Sequence, residues 1–451
     1  MSVSESKSKT HRLGGGIGMK RFKSYCLTSL VIILAGIFSG CQSQNAGNEG
    51  NDPEVEKSVT IKIAYLFDGD TWEERVGSLE KDLKNIKLER IPYENTVESL
   101  QEIFAKGNKP DIIIGPIEPM KELEVIEPLD ELIEQHNFDL DSLNSSLMKN
   151  VRSLTDEGKI VAFPDNRPFF ALYYNKAVFD LFGQDYPDQN TAMTWDEAIN
   201  LAAKMTGEKN GTQYVGMTHG PFAGFGPGTW PLDELATNMT DPETGEVNIQ
   251  DNPPLRKYFD LMAEYYSFQG IHDAEWEGDW FAEGKAAMFI AQDAYLDSVE
   301  DQNFLESLEM VPVPIWEGSP DQGPYRGFWS MIITNYSEHK DEAFKVLEAY
   351  VSQKHQLEVT ESGVMGSILA DPEIHQNYAI NAPGLEGKNR EAFFAQEPAV
   401  YEDTISQWDN YVDVDTAIEK MIEQDKDINT IIRELEEESS GKIKEAMEAG
   451  E

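Results

Sequence analysis

Few groups in this chain could carry a reaction, and their spacing argues against most of the chemistry open to them. Ser146 and Lys149 stand in a Ser-x-x-Lys spacing, one helical turn apart, where an amine can draw the proton from a nucleophilic hydroxyl. The run around them is polar, and the companion motifs of such enzymes are missing. Seven histidines are scattered along 451 residues, with no pair on one helical face at metal-ligand spacing. There is no His-Glu-x-x-His, no Gly-x-Ser-x-Gly and no Walker-type loop. Carboxylates, by contrast, are abundant, 82 acids against 37 basic residues. Glycoside hydrolysis needs only two suitably spaced carboxyl groups, so composition leaves that reaction open. Nucleic acid is excluded as a partner, because its phosphates reward Lys and Arg. The acidity itself reads as a solvated surface.

The elements that must position these groups follow from periodicity. Val59–Phe67 is strand-like, "DGD" turns, and Trp72–Lys84 has helical spacing. "KLERIPY", the helical "TVESLQEIFAKG" and the strand "DIIIG" repeat the alternation. Strands alternating with helices imply a mostly parallel sheet covered on both faces, with ligands beyond the carboxyl ends of the strands. That geometry gathers Asp68, Asp70, Gly115 and Glu118 on loops at one rim. Farther on, "GKIVAF" and "ALYYN" are strands either side of Pro164, and Thr194 with Glu197 forms a capping box for the helix "TWDEAINLAAKM". Ile418, Met421, Ile422, Ile428, Ile431, Ile432 and Leu435 carry the apolar spacing of C-terminal helices. Length and a 40% hydrophobic content allow two or three domains.

The N-terminus has a different character. Lys20, Arg21 and Lys23 follow Met19, and "YCLTSLVIILAGIF" then gives an apolar core of export-signal length, too short for a membrane span. Ser39, Gly40 and Cys41 come next, and the segment resembles the lipobox of bacterial lipoproteins. That resemblance implies cleavage before Cys41, a diacylglycerol thioether on its sulfur, and a start at Met1 or Met19. Phe38 departs from the aliphatic residue such segments prefer. Cys26 lies inside the leader, so cleavage leaves Cys41 as the sole cysteine and no internal disulfide. Residues 1–40 are thus expected to be a signal peptide and 41–57, "CQSQNAGNEGNDPEVEK", a flexible lipid-anchored tether.

In order along the chain, "KPDIIIG", "IEPLDELIEQHNFD", "GKIVAFPDN", "YYNKAVFDLFG", "TWDEA", "TWPL", "WFAEGKAAMFI", "DEAFKVLEAYVSQKHQ" and "SGVMGSI" resemble the extracellular solute-binding proteins of ABC importers. The resemblance is to the sugar-binding family that includes maltose-binding protein, and it extends from about Val59 onward. It implies an α/β, type II periplasmic-binding-protein-like fold: two lobes joined by a multi-stranded hinge, with the ligand in the cleft between them. Lobe one is expected at 58–164 plus 327–368, lobe two at 165–326 plus 369–451, with crossings near Pro164, Tyr325–Gly327 and Gly366–Asp371.

Sugars require carboxylates or amides for their hydroxyls and planar rings for their apolar C–H faces. By resemblance the hydroxyl-binding acids fall on Asp70 and Glu118, while the family's third-strand aromatic position falls on Gly115. The acid just past the first crossing falls on or near Arg167, a reversal of charge beside Asp165. After "AAM", Gln292, Asp293 and Tyr295 occupy the region of a stacking tryptophan. Trp230, Trp329 and Tyr411 are the other ring candidates, and Arg167 with Arg326 could clamp a carboxylate, which adds an acidic sugar to the options. The function implied is capture of a carbohydrate, an oligosaccharide among the choices, by a monomer without cofactor or metal. The partners implied are an ABC permease and, through the anchor, the outer face of the cell membrane. A secreted lipoprotein glycoside hydrolase and a ligand-sensing lipoprotein signalling to a membrane receptor remain as alternatives.

Overall fold

A computed structural model describes residues 58–67, 69–218, 229–268, 279–292, 295–296, 299–319, 321–325, 327–363, 365–424 and 426–449. Cys41 with the leader and tether, Asp68, Asp293, Arg326 and the side chain of Ile422 lie outside the described residues. The chain lays down β1 (Val59–Tyr65), β2 (Ile86–Pro92), β3 (Ile112–Gly115) and the short β4 (Phe163–Pro164). It continues with β5 (Phe170–Asn175), β6 (Gly207–Lys209), β7 (Thr212–Thr218), β8 (Ala286–Gln292) and β9 (Leu308–Val311). Then follow β10 (Gln322–Gly323), β11 (Ser330–Ile333) and β12 (Glu397–Pro398).

Two five-stranded sheets result, ordered β2-β1-β3-β11-β4 and β6-β7-β8-β5-β9. In the first, β1 pairs in parallel with β2 (Val59↔Ile86) and β3 (Ile63↔Ile112), as the alternation of strands and helices predicts. β11 then adds antiparallel to both β3 (Ser330↔Gly115) and β4 (Ser330↔Pro164), so the sheet is mixed. In the second, β7 and β8 are parallel while β5 runs antiparallel to β8 and β9.

The inner strands β3, β11, β5 and β8 are buried on both faces because nearly all their residues are apolar, and the two-residue period sorts the side chains between two cores. Ile61, Ile63, Tyr65, Ile112, Ile114, Met331 and Ile333 join one core; Ala64, Ile113 and Ile332 join the other. The second sheet divides likewise, Leu172, Tyr174, Met288 and Ile290 to one side, Ala171, Tyr173, Phe289 and Ala291 to the other. Ile418, Met421, Ile431, Ile432 and Leu435 of the helices Val414–Gln424 and Ile428–Ala449 complete that first face.

Local signals act as their chemistry dictates. The Thr194 hydroxyl accepts from Glu197 N–H (3.2 Å) and the Glu197 carboxylate from Thr194 N–H (2.8 Å), closing the capping box of the helix Trp195–Lys204. The helix expected over Trp72–Lys84 is instead two pieces, Gly69–Arg75 and a tighter turn Gly77–Asp82 in which Leu83 N–H reaches Glu80 O at 3.3 Å. Between the sheets the chain passes once through Asp165–Phe169 and back between β9 and β11. A third passage separates Ile374, which packs in the first sheet's core, from Tyr378, in the second's.

Candidate functional site

The carboxyl end of β1 carries Phe67, whose ring stacks on Trp329 at 4.1 Å and 17°. Trp329 immediately precedes β11, so this half-buried ring pair stands where the chain re-enters the first sheet. Asp70 follows in the first turn of the helix Gly69–Arg75, and Glu118 opens the helix Glu118–Glu122 after β3; both are exposed. Two acids and a ring platform are thus presented along one rim of the sheet, the acceptor and apolar surfaces that a hydroxylated, C–H-faced ligand needs.

Beneath the platform lies a buried ion pair. Arg75 and Asp165 are 6% and 1% exposed, and Arg75 Nη2 sits 3.2 Å from the Asp165 carboxylate. Arg75 also donates through Nε to the Met365 sulfur (3.1 Å) and lies 5.3 Å from the Phe67 ring centroid. Asp165 N–H donates to Trp329 O (2.8 Å), and Tyr350 O–H donates to Asp165 O (2.8 Å). Burial lifts the Asp165 carboxyl to about 6, with Arg75 and backbone N–H groups pulling the other way. Burial works against charge on Arg75 too, but the facing carboxylate together with the Tyr350 and Tyr65 phenols outweighs it, so the guanidinium is held above its ordinary range. Arg75 was not among the sequence candidates. Its signal would have been a cation in an otherwise acidic first helix, one turn past the rim.

The sequence candidates are not all in one place. Asp165 is enclosed in the ion pair just described. Arg167, 1% exposed, donates to Gln396 O (3.1 Å), pairs with Glu397 (3.2 Å) and lies 5.2 Å from the Phe169 ring centroid, with burial holding its pKa below the ordinary value. Its N–H donates to Gly366 O (3.1 Å), and an added Cβ on Gly366 would come within 2.2 Å of Arg167 O, so only glycine permits this contact. Trp230 is 5% exposed, its ring 4.9 Å from Phe170, and lines a small apolar cavity with Trp195, Met217 and Ile290. Tyr295 is 7% exposed among Phe281, Phe289 and Tyr173. Gln292 ends β8 exposed, its carbonyl accepting from Tyr173 O–H at 3.2 Å, and Tyr411 lies 6.1 Å from Trp408 near the last helix. At Gly115, an added Cβ would stand 1.9 Å from the Tyr93 hydroxyl, which donates to Ile114 O at 3.1 Å; the phenol occupies the space of the missing side chain.

Glu234 is the other buried acid of note, 1% exposed in the helix Thr229–Leu235. It accepts from Trp195 Nε1 (2.6 Å) and from Trp316 N–H (2.7 Å). Burial raises its carboxyl to about 7 against these two bonds and the charge of Lys257. The backbone of the adjacent Asp233 accepts from Tyr325 N–H (3.1 Å), which ties this helix to the return crossing. Among the described residues no group of three or more His, Cys, Asp or Glu is arranged to hold a metal ion, and no helix is long and apolar enough to cross a membrane.

Two mixed α/β sheets, connected by repeated crossings with acids and rings at the crossing, define a type II periplasmic-binding-protein-like fold. Residues 68–357 match the family model "Bacterial extracellular solute-binding protein", and the chain belongs to that family. Members bind a solute without transforming it, which sets the hydrolase alternative aside. The chain is 26% identical over 182 residues to the diacetylchitobiose-binding protein of Streptomyces coelicolor, a match covering 36% of this chain and 38% of that relative. Among solved structures, the sugar-binding protein MalE of Xanthomonas citri superposes with a TM-score of 0.67 at 16% identity, covering 86% of this chain and 99% of the other. A sugar transporter structure from Rhizobium etli in an open conformation gives 0.66 at 17%, covering 85% and 99%. An ABC substrate-binding protein of Listeria monocytogenes in complex with cycloalternan gives 0.61 at 18%, covering 86% and 99%.

Proposed function

We propose that this protein captures a neutral carbohydrate, an oligosaccharide in particular, in a cleft between two lobes and delivers it to an ABC permease. The Phe67–Trp329 stack carries the reading: a half-buried ring platform beside Asp70 and Glu118 at the crossing between sheets. The relatives named for diacetylchitobiose and cycloalternan support it. Neutrality is favoured because Arg75 and Arg167 are already paired, with Asp165 and Glu397, and Arg90 is engaged with the Phe67 carbonyl. The lobes are 58–164 plus 327–374, extended past the expected 368 because Ile374 still packs in the first sheet's core, and 165–326 plus 375–451. A monomer lipidated at Cys41, after cleavage of 1–40 and with 41–57 as tether, would hold the site at the outer face of the membrane, where two or three acyl chains give stable attachment.

The test is a thermal-shift panel of maltotriose, mannotriose, N,N′-diacetylchitobiose and a glucuronic-acid oligomer. A ligand at 100 times its dissociation constant adds about 2.7 kcal/mol to stability, so a binder raises Tm measurably. A neutral sugar should do so, and Trp329→Ala should weaken it roughly 5- to 150-fold, the effect of losing about 1–3 kcal/mol of ring burial. Turnover of any of these sugars, or no shift with all of them, rejects the reading.

A further inference from the structure

A second aromatic run continues from the platform toward the C-terminal third of the chain. Phe328 precedes Trp329, the Tyr325 ring lies 6.3 Å from Phe328, and the Tyr401 ring lies 6.0 Å from Tyr325. Both tyrosines are half-buried, and among the described residues neither hydroxyl has a hydrogen-bond partner. Neither is among the buried unpartnered hydroxyls, so both phenols hold their rings in the protein and keep an O–H open to solvent beside the ring platform, free to donate to a ligand that displaces that water. We propose that Tyr325 and Tyr401 are specificity-determining residues that donate hydrogen bonds to acceptor atoms of the bound carbohydrate, with Asn150 as the positioning residue for Tyr401. This rests on the carbohydrate reading above.

The chemical reason is that the two rim acids cannot donate. Asp70 and Glu118, when ionised, only accept. A sugar also offers ring oxygens, glycosidic oxygens and, when N-acetylated, amide carbonyls, none of which a carboxylate can satisfy. Phenols donate, provided they stay protonated. Burial, then Tyr401 and the nearby Glu118 carboxylate, hold Tyr325 well above the ordinary tyrosine range; burial, then Asp409 and Asp233, do the same for Tyr401. Tyr325 is also fixed from the second sheet's side by its N–H bond to Asp233 O, so the pair meets groups from both halves of the fold.

Tyr401 reaches this position because residues 396–406 are strapped down on two sides. On one side β12 pairs with β10, and Ala399 N–H donates to Gly323 O at 3.0 Å. On the other, the fully buried Asn150 of the helix Ser145–Arg152 donates through Nδ2 to Ala399 O (2.9 Å) and accepts through Oδ1 from Tyr401 N–H (3.1 Å). One side-chain amide thus engages the strap as a neighbouring strand would. Ser153 extends the contact, its hydroxyl 3.3 Å from Tyr401 O and its carbonyl accepting from Ile405 N–H at 2.8 Å.

The test is calorimetric titration of the full-length protein and its variants with maltotriose, mannotriose and N,N′-diacetylchitobiose. Tyr325→Phe and Tyr401→Phe keep the rings and should each weaken the best of these ligands about 2- to 12-fold, the loss of one neutral hydrogen bond, with Tm of the free protein unchanged. Asn150→Ala should weaken binding as Tyr401→Phe does, and the Asn150→Ala/Tyr401→Phe double variant should be no weaker than Asn150→Ala, a coupling that a merely structural asparagine would not show. Wild-type affinity in both Phe variants, with Trp329→Ala impaired, overturns the tyrosine assignment and leaves the carbohydrate reading standing. Absence of binding to all three sugars by the wild type removes both. Since the Phe variants preserve packing, the outcome does not depend on whether Asn150→Ala folds.

Discussion

Replacing Glu234 by Gln should change the pH dependence of stability in a defined direction. The carboxyl is 1% exposed, and its pKa rises from 4.5 to about 7, chiefly through burial. Between those values the folded state binds more proton than the unfolded chain. The contribution of Glu234 is therefore fully present below about 4.5 and is lost as pH rises through about 7. At about 1.4 kcal/mol per pH unit, the rise amounts to an upper limit of about 3 kcal/mol. Gln cannot ionise, so the variant lacks this decline. It carries its own penalty, because an amide NH2 must then face either Trp195 Nε1–H or Trp316 N–H and leave that donor unsatisfied, about 1–3 kcal/mol at every pH. Urea unfolding followed by tryptophan fluorescence and circular dichroism at pH 4.5, 6 and 7.5 measures both. The variant should be the less stable at pH 4.5, and the gap should narrow or reverse by pH 7.5. Parallel stability curves for the two proteins would refute the reasoning, because they would mean that Glu234 titrates alike folded and unfolded.

Asp165→Ala should cost about 3–5 kcal/mol by leaving Arg75 buried without its partner, and the Asp165→Ala/Arg75→Met double variant should recover part of that loss, as a double-mutant cycle in urea will show. Gly115→Ala should destabilise by about 1–3 kcal/mol through its 1.9 Å approach to the Tyr93 hydroxyl, and Tyr93→Phe in the same chain should relieve most of that, since the next ring atom stands 3.2 Å away. Equal Tm values for Gly115→Ala with and without Tyr93→Phe would count against that contact.

Periodicity and caps were enough to read β1, β2, β3 and β5, the helix Trp195–Lys204 with its capping box and the C-terminal helices, because each is specified by neighbours in sequence. The antiparallel strand β11 was not read from the sequence. Ser330–Ile333, one serine and three apolar residues, has no local signal that separates it from any other buried run, and its pairing with β3 spans more than two hundred positions. The same distinction governs the site. Asp70 and Glu118 could be placed on one rim because loops after parallel strands are predictable places. Arg167 looked available because charge reads as exposure, yet Glu397, from the far end of the chain, neutralises it in the fold. Phe67, Arg75, Tyr325 and Tyr401 went unmarked for a related reason: their roles depend on partners 262, 90, 76 and 251 positions away in Trp329, Asp165, Tyr401 and Asn150.

The order β2-β1-β3-β11-β4 seats a late-arriving strand in the interior of the first sheet. Until residue 333 has been synthesised, the outer edge of β3 offers unpaired peptide groups and β4 has nothing in that sheet to join. A nascent or truncated product stopping short of that point is consequently an unfinished, adhesive intermediate rather than a stable first half. Folding must therefore await most of the polypeptide, at the slow pace that distant pairings impose.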